Sequence, residues 1–213
     1  MTELTCSAAV FDCDGTLIDS ERIWLDVMTR LLEERHLRVE DVGGLRGITA
    51  AEAAARLAVA TNSRRDECEE EIGRRYSTAL ASITEPMPGV LELLTALDGV
   101  IPIAVATNGC RVDVEAMLGR VGVAKHVPYM FTIDDVERGK PEPDLYINAC
   151  AAMGHRPEVV VAFEDSAVGA RAAFAAGCRV VGLGPDVPSD LIVAQAASLA
   201  AVRFDAARRT FTV

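Results

Sequence analysis

The chain has 213 residues, half of them hydrophobic, which suffices for one sizeable domain or for a core carrying a smaller inserted module. Its 21 basic residues stand against 32 acidic ones, and the net charge of −11 opposes polyphosphate backbones and anionic lipid surfaces, so neither nucleic acid nor a membrane is an expected partner. The same charge repels a small phosphorylated compound at long range, so any phosphate site must carry its own local positive charge from Lys, Arg or a metal ion.

The first residues hold an acid and no basic cluster ahead of an apolar run, which reads as no secretory signal. The longest mostly apolar stretch, Leu191 to Val202, is interrupted by Gln195 and Ser198 and is too short to span a bilayer. The expectation is a cytoplasmic protein. Six cysteines, Cys6, Cys13, Cys68, Cys110, Cys150 and Cys178, are scattered singly without a C-x-x-C pair. Neither a zinc site nor a disulfide framework is expected, and most of them read as small buried hydrophobes.

In chain order, Ala8 to Phe11 is an apolar run of strand length. Ser20 to about Arg35 has helical spacing, with Ile23, Trp24, Val27 and Leu31 on one face. Thr49 and Glu52 have the form of a capping box opening a second helix to about Ala60, and Ser63 is placed to cap a third, with Ile72, Tyr76 and Leu80 along it. Residues 20–83 thus read as helical, and Thr84 to Gly89 as a turn-rich return. From there strands and helices alternate. Leu91, Leu94 and Leu97 mark a helix face, Ile101 to Ala106 a strand, 110–121 a helix, Val127 to Thr132 a strand and Asp144 to Met153 a helix. Val159 to Phe163 and Arg179 to Leu183 are strands on either side of an alanine-rich helix, 166–176. Such alternation implies right-handed crossovers and an α/β doubly wound parallel sheet, here with a helical insertion after its first strand. Pro185 to Val213 is expected to add a helix and one edge element.

Four stretches fall at the ends of predicted strands, where ligands of such sheets bind. In V-F-D-C-D-G-T-L-I-D-S-E, Asp12 and Asp14 stand at i and i+2, on one side of an extended strand, before a turn at Gly15. One ionised carboxylate of such a pair can attack phosphorus and share Mg²⁺ while the other passes a proton to the leaving group. An ordinary acidic turn after a strand would carry the same residue types. Thr16 adds a hydroxyl and a backbone N–H. Thr107-Asn108-Gly109 offers a hydroxyl and backbone donors at a strand-to-helix turn, able to hold a phosphoryl oxygen. Lys140, between Gly139 and Pro141, is suited to act as a fixed point charge. Glu164 and Asp165 are adjacent acids that repel one another unless a cation joins them, and hard oxygen donors suit Mg²⁺.

Taken together and in order, D-x-D-G-T-L-x-D-S, the strand ending in Thr107, K-P-E-P-D and E-D-S-x-x-G resemble the four motifs of the haloacid dehalogenase-like hydrolases. The resemblance implies a Rossmann-like core over residues 1–18 and 85–213 and a helical cap over 19–84, similar to the subgroup of small-metabolite phosphatases and β-phosphoglucomutase. By carry-over Asp12 is the nucleophile, Asp14 the general acid and base, and Thr107 and Lys140 hold the phosphoryl oxygens. Asp12, Asp14 (through its backbone), Glu164 and Asp165 would bind Mg²⁺, and Thr16, Asn108 and Gly109 would contact substrate. The mutases carry a His ten residues after the second Asp, where this chain has Trp24, an indole that cannot shuttle protons. Trp24 reads equally as cap packing or as substrate stacking. Arg46-Gly47 falls in the cap loop that faces the site in such proteins, where Arg46 would read a second anionic group of the substrate or stand as a solvated loop arginine. Arg111 is a weaker candidate. The expected activity is hydrolysis of a sugar phosphate or sugar-acid phosphate by a monomer or weak homodimer, with a phosphosugar mutase as the alternative.

Overall fold

The computed structural model describes residues 1–45 and 48–213. The chain divides into two compact units, Asp19–Ile83 and the remainder, Met1–Ile18 with Thr84–Val213. Among the described residues no helix is long and apolar enough to cross a membrane.

The larger unit opens with β1 (Glu3–Thr5) and β2 (Ala8–Phe11). β2 is a central strand, paired on each side, and every residue of it is buried; with both faces of the sheet covered, its run is continuously apolar rather than alternating.

The chain then enters the helical unit of α1 (Ser20–Glu33), a 3₁₀ turn (Val39–Val42), α2 (Ala50–Thr61) and α3 (Arg65–Leu80). α1 buries Ile23, Trp24, Val27, Met28 and Leu31, the three-and-four spacing of one helix face. Of these, Trp24, Met28 and Leu31 join Leu57 and Ile72 in an apolar core of the unit. The capping box forms: Thr49 Oγ1 accepts from Glu52 N at 3.1 Å, and Thr49 N donates to the Glu52 carboxylate at 3.3 Å. Ser63 does not cap α3. Its hydroxyl accepts from Thr61 Oγ1 at 2.9 Å, and Arg64 takes the cap position without a side-chain bond.

After the return the larger unit continues through α4 (Val90–Leu97), β3 (Ile103–Ala106), α5 (Arg111–Arg120), β4 (Tyr129–Phe131), α6 (Asp144–Ala152), β5 (Val160–Glu164), α7 (Ala167–Ala176), β6 (Arg179–Leu183) and β7 (Ala194–Ala196). α4 buries Val90, Leu93, Leu94 and Leu97, which leaves Leu91 on the rim instead of in the face expected of it. Six strands form a parallel sheet in the order β4-β3-β2-β5-β6-β7. The chain winds outward from β2 through β3 to β4, then returns to the other side of β2 as β5, so the direction reverses between β2 and β5. Phe11 pairs in register with Phe163 there, their rings stacked at 4.8 Å, and the residues that follow each of them leave the sheet side by side.

The C-terminal stretch departs from expectation. Residues 185–213 contain no α-helix but the parallel edge strand β7 and a hairpin, β8 (Arg203–Asp205) and β9 (Thr210–Thr212), which joins β1 in a three-stranded antiparallel sheet. The alanine-rich run favours a helix locally, but its backbone is drawn to β6: Val193 N donates to Val180 O at 2.8 Å and Gly184 N to Ala196 O at 2.9 Å. The hairpin is fixed by Phe211, which packs on Phe204 at 4.9 Å and edge-on against Phe163 at 5.0 Å.

Candidate active site

The crevice at a reversal of strand order is where open α/β sheets place their ligands, and the acids and Lys140 converge there. Asp12 follows β2 directly, its N–H bonded to Phe163 O at 3.0 Å, and is buried. The turn after it is tight: Leu17 N and Ile18 N both reach Cys13 O, and Gly15 N reaches Ile18 O. Gly15 sits at φ +85°, and a Cβ there would lie 1.9 Å from Asp165 Oδ2, so both the conformation and the approach to Asp165 require glycine. Asp14 turns its Oδ2 to the Thr107 hydroxyl, which donates at 2.7 Å and in turn accepts from Gly109 N at 2.9 Å.

Lys140 is the hub. Its Nζ donates to Asp12 Oδ1 at 2.5 Å and to Glu164 Oε1 at 2.6 Å, and it is buried with both. Its backbone is braced by Asn108, whose Oδ1 accepts from Lys140 N at 2.8 Å while its Nδ2 donates to Lys140 O at 3.1 Å. A proline follows through a cis peptide bond. Glu164 is wholly buried; besides Lys140, Tyr146 donates its hydroxyl to Oε1 and Ser166 Oγ donates to Oε2 at 3.2 Å. Ser166 Oγ also accepts from Gly169 N at 3.1 Å as the cap of α7, which ties that helix's first turn to the acid.

Burial, together with the charges of Glu164, Asp165 and Asp14, pushes the Asp12 carboxyl well above the usual range despite the opposing pull of Lys140. Burial works against the Lys140 charge, but Asp12 and Glu164 outweigh it and hold the ammonium protonated. Burial and then the Glu164 charge push the Tyr146 hydroxyl up, so it remains a donor. Acids crowded this closely around Lys140 call for a further cation, and the donor set fits Mg²⁺: Asp12, Glu164 and Asp165 each offer a carboxylate oxygen, all within 4.8 Å of one another. Asp14 contributes no side-chain oxygen to that group, which leaves its backbone for the role expected of it.

Of the expected substrate contacts, the Asn108 side chain is engaged by Lys140 and braces the loop instead of facing outward. Gly109 lends its N–H to Thr107. Thr16 is buried, and among the described residues its hydroxyl is the buried side-chain group without a hydrogen-bond partner; the residue lines a cavity of ≈ 200 Å³ with Gly15 and Asp165. Arg46 and Gly47 lie outside the described residues. Arg111 braces structure: its guanidinium reaches Met130 O, Glu115 and Asp135. Trp24 is buried, donates Nε1–H to Leu45 O at 2.8 Å and meets Tyr76 edge-on at 5.5 Å, contacts that pack it within the helical unit. Tyr146 and Ser166 went unassigned in the sequence. The available signal was a tyrosine on the buried face of α6, since a buried phenol needs a partner.

A sequence profile described as haloacid dehalogenase-like hydrolase matches residues 9–183. The chain is 34% identical to validoxylamine A 7'-phosphate phosphatase of Streptomyces hygroscopicus subsp. limoneus over 82% of this chain and 84% of that protein. It is 32% identical to hexitol phosphatase A of Escherichia coli over 88% and 86%. Among solved structures, a putative β-phosphoglucomutase from Thermotoga maritima superposes with a TM-score of 0.72 at 26% identity, over 89% of this chain and 94% of that one. With the four strand-end motifs assembled at the sheet's reversal and these likenesses across most of its length, the chain belongs to the family of haloacid dehalogenase-like hydrolases and stands among its phosphoric monoester hydrolases.

Proposed function

We propose that the protein is a Mg²⁺-dependent phosphatase of a small phosphorylated metabolite, a sugar phosphate or sugar-acid phosphate, and that it works through an aspartyl-phosphate on Asp12. The observation that carries this reading is the buried Asp12 carboxylate, held on one oxygen by Lys140, with Asp14 beyond it hydrogen-bonded to Thr107. Asp12 attacks phosphorus; the Asp12–phosphorus bond forms as the ester P–O bond breaks, and Asp14 gives its proton to the departing alkoxide. Asp14 then takes a proton from water, whose oxygen attacks phosphorus and frees the Asp12 carboxylate and inorganic phosphate. Lys140 supplies fixed positive charge to the phosphoryl oxygens, and Thr107, which holds them with Lys140, also orients Asp14 through its hydroxyl. Mg²⁺, held by Asp12, Glu164 and Asp165, supplies further positive charge against those oxygens when bound. The helical segment, 19–84, serves as the cap, with Arg46 and Gly47 as its substrate contacts.

The structural likeness to a putative β-phosphoglucomutase keeps a phosphosugar mutase as the second reading. Trp24 weighs against it, because its N–H is committed to Leu45 O and an indole offers no basic nitrogen for a proton shuttle. The test is phosphate release from a panel of phosphorylated sugars, sugar acids and polyols, with Mg²⁺ or EDTA, beside Asp12→Asn. Metal-dependent release that Asp12→Asn abolishes is the expected result. Labelled phosphate that stays on the sugar would move the assignment to the mutase, and release unaffected by Asp12→Asn would remove Asp12 as nucleophile.

A further inference from the structure

Lys140 has three N–H bonds. Asp12 and Glu164 take two of them in the folded protein, which leaves one for a phosphoryl oxygen. This division depends on where the Glu164 carboxylate stands. If it held the ammonium more strongly, Lys140 would withdraw from Asp12 and from the phosphoryl group together. Tyr146 acts on both partners at once: its hydroxyl donates to Oε1, the same oxygen that accepts from Lys140, and its ring lies under the ammonium, with Nζ 5.3 Å from the centroid. Tyr146 and Glu164 are wholly buried, so bulk water does not replace a missing hydroxyl. Gly169 packs against the same carboxylate, where a Cβ would come within 1.9 Å of Oε1 and 2.1 Å of Oε2.

We propose that Tyr146 is a positioning residue for the phosphoryl-binding lysine: by donating to Glu164 it divides the Lys140 ammonium between Glu164 and Asp12 and keeps its remaining N–H on the phosphoryl group. The inference rests on the phosphatase reading. Tyr146→Phe keeps the ring and its packing and removes the hydroxyl alone. Titration calorimetry of inorganic phosphate in the presence of Mg²⁺ is expected to show about ten-fold weaker binding or more, the factor carried by a hydrogen bond to a charged group, with kcat lowered alongside. In a Lys140→Met background the same substitution should change phosphate affinity by less than about two-fold, because the group it positions is gone. An equal loss in both backgrounds, or wild-type affinity in Tyr146→Phe, overturns the proposal. If Tyr146→Phe does not fold, 3-fluorotyrosine at that position keeps ring and hydroxyl but strengthens the donor, and unchanged phosphate affinity overturns the proposal by that route. A wild-type protein that binds phosphate and hydrolyses no ester would remove the phosphatase reading alone; one that binds no phosphate would remove both.

Discussion

Gly169→Ala tests whether Glu164 is held where the structure places it. The new methyl carbon would lie 1.9 Å from Glu164 Oε1 and 2.1 Å from Oε2, whereas a relaxed C···O contact is about 3.3 Å, so the carboxylate must retreat by more than about 1 Å. Retreat is resisted by Lys140, Tyr146 and Ser166, which between them donate to both of its oxygens. Overpacking of this kind costs about 1–3 kcal/mol. A lost hydrogen bond to a charged group costs about 1.5–3 kcal/mol, and the better helix propensity of alanine offsets up to about 1 kcal/mol. The expected outcome is a fall of about 2–5 kcal/mol in the free energy of urea unfolding, with kcat/KM for phosphate release down at least about ten-fold. Gly73→Ala, in α3 with nothing within 4 Å of the added carbon, is the control and should be neutral or slightly stabilising. Wild-type stability together with wild-type activity in Gly169→Ala would refute the placement of Glu164 and with it the grip on Lys140.

Mg²⁺ at a hundred-fold excess over its dissociation constant should stabilise the protein by about 2.7 kcal/mol in thermal melts, and Asp165→Asn should remove most of that gain; an undiminished gain would put the ion elsewhere. Trp24→Phe leaves the Leu45 carbonyl without its donor and should lower the stability of the helical unit by about 1–2 kcal/mol in urea, with no change meaning that water takes the indole's place. Asn108→Ala removes both bonds to the Lys140 backbone, so kcat/KM should fall about ten-fold with Mg²⁺ affinity intact; unchanged kcat/KM would show that the loop holds Lys140 without it.

The inner strands of the parallel sheet were legible because they are buried on both faces and read as short apolar runs: Ile103–Ala106 and Val160–Glu164 are buried at every position. A helix opening was legible where a side chain caps it, as at Thr49, and misread at Ser63, where a neighbouring hydroxyl took the serine. The C-terminal region was not legible. Its strands are each three residues long, too short for a period to show, and their order comes from pairing with β6 and with β1 at the far end of the chain. In the site the strand-end acids, Thr107 and Lys140 could be named from residue type and place. Which hydrogen bonds each makes could not, and Asn108 shows the consequence: an amide at a strand end looks like a ligand to substrate, yet here both of its polar atoms serve the Lys140 backbone.

Those bonds explain why the site is assembled before any substrate arrives. The groups come from four distant stretches, after β2, after β3, before α6 and at the end of β5, and each is bonded to a group from another. Asp14 is bonded to Thr107, Asn108 to Lys140, and Lys140 to both Asp12 and Glu164. Only a core with β2 between β3 and β5 brings these ends together, so the free energy that orders the site is that of folding the sheet rather than of binding substrate. The arrangement also sets limits on what can be changed. An isosteric amide at Asp12 keeps an oxygen for Lys140 while removing the nucleophile proposed above, so on that proposal Asp12→Asn should abolish turnover and leave the fold in place. Truncation of Lys140 instead leaves Asp12 and Glu164 facing one another in a buried space without the cation between them, and such a change must cost stability as well as turnover.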